Sequence, residues 1–192
     1  MEPIAAQQST RPAPARGGSV LPGTAATGVR QFLTFVLGGV MYALEIVNIK
    51  EIIEYGEVTE VPMLPPSIRG IINLRGAVVP VIDLAARFGG QPASVQRRTC
   101  IVIVEAIQAG QQSDIGIMVD AVSEVLDIAG SEIEPPPAFG ARIRADFIAG
   151  MGRVAGKFVI ILDIARVLSV EDMAALTAIS QQHSVPAMDA ST

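Results

Sequence analysis

With one cysteine, no tryptophan and two lysines, this sequence rules out much chemistry before any motif is read. Cys100 alone can form no intrachain disulfide and no cysteine-based metal site. It lies in Thr99-Cys100-Ile101-Val102-Ile103-Val104, an apolar run of β character, where a thiol serves as a small hydrophobe. The lack of disulfides fits the cytoplasm. Lys50 and Lys157 are the only lysines, charged residues make up 17% of the chain, and the net charge is −5. Nucleic-acid phosphates need clustered Lys and Arg, so that class of partner is excluded. Aromatics at 4% are too few for a base-stacking platform. No apolar run approaches the ~18–20 residues of a membrane span. The N-terminus lacks the continuous apolar core of a signal peptide. His183, the only histidine, stands in a polar tail without a ligand set or a triad. There is no Gly-rich phosphate loop and no Gly-x-Ser-x-Gly. The reading is a soluble intracellular protein without catalytic machinery, metal or cofactor.

Half of the residues are hydrophobic, which is ample for a core. Residues 1–28 are rich in Pro, Ala, Gly, Ser and Thr, and are expected to form a disordered arm carrying Arg11 and Arg16. Gln31 to Leu37 and Val40 to Glu45 read as strands joined by a Gly38-Gly39 hairpin turn. For Ile46 to Ile53, periodicity leaves a helical turn and a strand both open. Val61-Pro62-Met63-Leu64-Pro65-Pro66 should be extended. Ile71-Ile72 and Val78 to Leu84 read as strands, with Asn73-Leu74-Arg75-Gly76 as a type I turn between them. Pro80 cannot donate to a ladder, which places its strand at an edge or a bulge there. Phe88 to Gln96 reads as a linker, Thr99 to Glu105 as a strand, Ala109 to Asp114 as a loop and Ile115 to Val119 as the returning strand. Ser169-Val170-Glu171-Asp172 resembles a capping box, and Met173, Leu176 and Ile179 form a helical stripe after it.

The chain repeats itself. At an offset of 80, Gly70 meets Gly150, Gly76 meets Gly156 and Asp83 meets Asp163. At an offset of 73, Ile46 meets Val119, Ile49 meets Val122, Glu51 meets Glu124 and Pro62 meets Pro135. The seven-residue difference falls in Pro136 to Phe147. Two small all-β units of roughly 60–80 residues follow, as sandwiches or barrels. Each is marginal alone, so packing them together supplies stability and creates a groove between them. The boundaries expected are 29–90 for the first unit, 91–168 for the second, and 169–192 for a terminal helix and tail. The pattern does not say whether strands are exchanged between the units.

Positions held in both copies are those the fold needs. Asp83 and Asp163 each follow a strand and suit capping of the next turn, as does Asp120. Asn73-Leu74-Arg75 occurs once, where the second copy has Arg153-Val154-Ala155. Arg75 offers a planar fork that pairs bidentately with a carboxylate. It is either a partner contact or a solvated surface charge, and physics alone does not separate the two.

Ile68-Arg69-Gly70-Ile71-Ile72-Asn73-Leu74-Arg75-Gly76, with Val78 to Leu84 after it, resembles the signature of CheW-type chemotaxis coupling proteins. So do Gly116-Ile117-Met118-Val119-Asp120-Ala121-Val122-Ser123-Glu124-Val125-Leu126, the upstream Phe32 to Phe35, Tyr42, and Ile49-Lys50-Glu51-Ile52. Ala121 departs from the glycine or charged residue often found there. The resemblance implies two SH3-like β-barrels packed together and no catalysis. It implies an adaptor linking the cytoplasmic tips of transmembrane chemoreceptors to the regulatory domain of a CheA-type histidine kinase, recruited to membrane-associated arrays. A related array controlling surface motility or another output is the alternative. Carried over by position, the receptor-facing residues are Ile49, Glu51, Gly70, Asn73, Arg75, Gly116 and Val125. For Ile49 and Val125 core burial is the rival reading, and for Gly70 and Gly116 it is backbone geometry.

Overall fold

The computed structural model describes residues 28–108, 111–136 and 143–169. The expected N-terminal arm, apart from Gly28, and the helix expected beyond Ser169 lie outside these residues. Eleven strands are formed among the described residues: β1 (Val29–Leu37), β2 (Val40–Glu45), β3 (Ile49–Glu54), β4 (Ile68–Leu74), β5 (Ala77–Asp83), β6 (Cys100–Gln108), β7 (Gln111–Val119), β8 (Ala121–Ala129), β9 (Ile133–Glu134), β10 (Ile148–Val154) and β11 (Lys157–Leu162). Two single-turn helices, α1 (Leu84–Arg87) and α2 (Ile164–Val167), follow β5 and β11. The ambiguous stretch resolves into both options: Ile46–Asn48 is a 3-10 turn and β3 follows it. The loop expected at Ala109 to Asp114 is shorter than that, because β7 already begins at Gln111.

The architecture is all-β, with two SH3-like barrels. Their sheets run β8-β1-β2-β11-β10-β9 and β3-β6-β7-β5-β4. Neither sheet respects the boundary expected near residue 90. The β1–β2 hairpin of the first half lies in the sheet of the second half, and the β6–β7 hairpin makes the reciprocal move. The exchanged hairpins join their hosts through two short parallel ladders, β2 to β11 and β5 to β7. Periodicity locates a strand but does not name its partner, so this exchange left no mark in the sequence pattern.

Exchange explains why several strands read as continuous apolar runs. Ile101 and Ile103 point into one barrel with Ile72, Val79, Val81 and Met118. The intervening Val102 and Val104 point the other way, into a larger core with Phe35, Leu44, Ile82, Ile117, Phe147 and Val167. That larger core lies between the barrels. Phe32, Ala43, Ile128, Val159 and Ile161 fill the second barrel. A strand buried on both faces loses the apolar–polar alternation of a half-exposed one.

The duplication survives in the geometry. Asp83 is fully buried and its carboxylate accepts from the amides of Ala85 and Ala86 at 2.9 and 3.2 Å, and from that of Ala93 at 2.8 Å. Asp163 caps α2 through the Arg166 amide at 3.1 Å. Both aspartates thus cap the turn after their strand, as expected. Asp120 differs, because its carboxylate accepts at 2.7 Å from the Gly38 amide in the turn of the β1–β2 hairpin and not from the turn after its own strand. Pro80 lies in β5, an interior strand, but the ladder to β7 begins only at Val81, so no donor is missed there.

Candidate functional site

The β4–β5 hairpin turns at Arg75-Gly76, with φ of 53° and 89°. Two central residues at positive φ make this a type I′ turn, one position later than the type I turn expected from Asn73 and Gly76. The right-handed twist of the flanking strands favours the primed turn. Asn73 still serves the turn, because its side-chain carbonyl accepts from the Gly76 amide at 2.8 Å. The second copy turns in the same way at Ala155-Gly156, with φ of 49° and 76°.

Arg75 stands on the tip with its side chain 77% exposed. Its two terminal nitrogens donate to the two carboxylate oxygens of Glu51 at 2.6 and 2.7 Å. Glu51 belongs to β3, at the opposite edge of the five-stranded sheet from β4. The pair can form only because the sheet curls closed. Closure is completed beyond β3, where Thr59 and Ile71 exchange backbone hydrogen bonds of 2.8 and 2.9 Å. Glu51 holds two of the five guanidinium N–H donors. Val78, opposite Asn73 in register and 42% exposed, adds an apolar side chain to the tip. Sequence reasoning passed over Val78 inside an apolar run. The inward turn of Val79 and Val81 is what sends it outward.

Gly70 and Gly116 are buried inside the barrel, where the backbone-geometry reading would have them. Gly70 has φ of +147°, and a Cβ there would come within 2.3 Å of the Thr59 carbonyl oxygen. It is the floor over which the closing strand passes. A Cβ on Gly116 would meet Ile101 at 2.7 Å. Ile49 is half-buried against the inter-barrel core. Val125 is 46% exposed and sits on β8, in the other sheet. The structure therefore joins Glu51, Asn73 and Arg75 in one surface site, places Gly70 and Gly116 beneath it as packing, and leaves Val125 on a different edge strand.

Beside the site, Lys50 donates to Asp114 at 2.6 Å and pairs with Glu105 at 3.3 Å, tying β3 to β6 and β7. The hydrogen bond to Asp114 is the main reason its pKa is raised above 10.5. The second copy carries its own clamp: Arg153 pairs with Glu134 at 2.6 Å and lies over the ring of Phe158 at 5.3 Å. Among the described residues, no cluster of His, Cys, Asp or Glu could hold a metal ion, and no helix is long and apolar enough to cross a membrane.

Residues 31–172 match the CheW-like domain. This chain belongs to the CheW-like family. A chemotaxis protein CheW of Klebsiella aerogenes is 34% identical over 154 residues, covering 80% of this chain and 90% of that protein. A probable chemotaxis protein CheW of Rhizobium etli is 30% identical over 142 residues, covering 74% and 89%. The crystal structure of the scaffolding protein TtCheW from Thermoanaerobacter tengcongensis superposes with a TM-score of 0.67 at 35% identity, covering 76% of this chain and 96% of that one. CheW-like proteins are chemotaxis adaptors and not enzymes, and this chain is one of them.

Proposed function

We propose that this CheW-like chain couples transmembrane chemoreceptors to a CheA-type histidine kinase, from the cytoplasm, at membrane-associated receptor arrays. One observation carries the reading. Of two duplicated hairpin tips with the same turn, only one places an exposed arginine at the left-handed position, backed by a bidentate carboxylate. The same left-handed position holds Ala155 in the second copy, so the turn folds without an arginine there. Glu51 fixes the fork in place, so little side-chain entropy remains to be lost on binding. The receptor tip would dock on Arg75, Asn73, Glu51 and Val78, with Ile49 and Val125 at the margin and Gly70 and Gly116 keeping the barrel in shape beneath. The kinase regulatory domain would pair with the barrel edges. The test is calorimetric titration with a cognate receptor's cytoplasmic fragment. Wild type is expected to bind, and Arg75→Glu, which opposes Glu51, to lose at least about tenfold in affinity while still folded. Equal affinities for the two would remove Arg75 from the contact.

A further inference from the structure

The ladder between β1 and β8 breaks its register once. Leu33 faces Val125 and Phe35 faces Val122, so β8 carries one extra residue opposite Thr34. At that point Ser123, Glu124 and Val125 are exposed in succession, where a strand with one face on a core would alternate. A bulge pulls backbone groups out of the ladder, and buried groups must find other partners. Here one side chain meets both needs. The Thr34 hydroxyl, fully buried, donates to the Glu124 carbonyl at 2.8 Å and accepts from the Glu124 amide at 3.2 Å. Its neighbours Leu33 and Phe35 offer no polar atom. β3 has a bulge at the duplicated position, with the extra residue between Ile49 and Glu51. Both edge strands thus use one device beside a proposed contact residue: Glu51 on β3 and Val125 on β8.

We propose that Thr34 is a positioning residue, whose hydroxyl clasps the β8 bulge in the one form that presents Ser123, Glu124 and Val125 together to the receptor. This rests on the receptor-coupling reading above and extends its surface to β8. Valine has the shape of threonine without the hydroxyl, so Thr34→Val leaves both Glu124 groups unpaired. The strand then gains by sliding the extra residue elsewhere, and a one-residue slip turns side chains to the opposite face. Thr34→Ser keeps the clasp.

The experiment titrates the full-length chain with a cognate chemoreceptor's cytoplasmic fragment, for Thr34→Val, Thr34→Ser, Val125→Ala and the Val/Ala double variant. Thr34→Val is expected to weaken binding about fivefold to tenfold, as two lost hydrogen bonds imply, and Thr34→Ser to bind like wild type. The double variant should lose no more than the worse single one, because Thr34 acts through Val125. A merely structural threonine would lower stability and leave affinity unchanged well below the melting temperature. Hydrogen exchange on wild type gives a test independent of any variant's folding: the Glu124 amide should be protected in the free protein and further slowed by the receptor fragment. A folded Thr34→Val that binds like wild type, additive losses, or an unprotected Glu124 amide would each overturn the proposal. If wild type itself ignores the fragment, the receptor-coupling reading falls first and takes this one with it.

Discussion

Gly70 and Gly76 share one hairpin, yet alanine meets a different obstacle at each. At Gly70 the methyl would collide with the Thr59 carbonyl at 2.3 Å, and backbone cannot yield as a side chain can. Gly70→Ala is expected to cost about 3 kcal/mol or more, read from the urea midpoint. At Gly76 the space is open and only the φ of +89° resists, so the cost should be about 1–2 kcal/mol. Equal losses would show that the closing strand does not need Gly70. The duplicated glycines were legible in the sequence, but their reasons were not. Gly150 lies outside the positive-φ region, and a Cβ there would instead meet the Ile133 side chain at 2.7 Å and the Glu134 carbonyl oxygen at 3.0 Å. Arg75 was also legible, as an arginine that only one copy has. Its partner Glu51 was named separately, because nothing local in the chain tells that β3 and the β4–β5 tip meet. Arg75 is well exposed and its partner Glu51 keeps some contact with solvent, so Arg75→Ala should change stability by less than about 1 kcal/mol. A larger loss by thermal melt would make the pair structural.

Elements carry the duplication more faithfully than residues do. α1 and α2 begin after equivalent aspartates, but only Asp83 is buried and reaches on to Ala93 in the linker. Asp83→Ala should therefore cost about 2–4 kcal/mol, leaving three amides without their acceptor, against about 1 kcal/mol for Asp163→Ala. Paired chemical denaturation checks the ranking, and a reversed order would contradict it. The bulge of β3 is tied down by Lys50 and its two carboxylates. A lysine whose pKa is raised on folding contributes its stability below 10.5 and loses it as pH climbs through the raised value. NMR titration should show the Lys50 ammonium deprotonating above 10.5, and Asp114→Asn should bring it back toward that value. No change on Asp114→Asn would mean that the hydrogen bond is not the cause. Strand positions were largely legible from Gly, Pro and apolar runs. The turn type and the bulges were not, because each depends on the strand opposite and not on local composition.

For the molecule as a whole, the exchange of hairpins has the largest consequence. Each barrel needs strands from both halves, and the inter-barrel core joins Phe35 and Ile82 to Val102, Phe147 and Val167. Residues 28–90 and 91–169 made separately should each lack a closed barrel and show no cooperative melt by circular dichroism, while the intact chain unfolds in a single transition. A half that melts cooperatively alone would contradict the exchange. An inter-barrel core of this kind couples the two barrels, which fits the proposed coupling of a receptor to a kinase. That leads to the most direct test of the central claim. Receptor cytoplasmic domains and a CheA-type kinase are assembled on vesicles, and ATP turnover is followed without this protein, with wild type, and with Arg75→Glu. The account predicts that wild type raises kinase activity and that the folded Arg75→Glu variant does not. Stimulation by the variant equal to that of wild type, or none by wild type with its cognate partners, would contradict it.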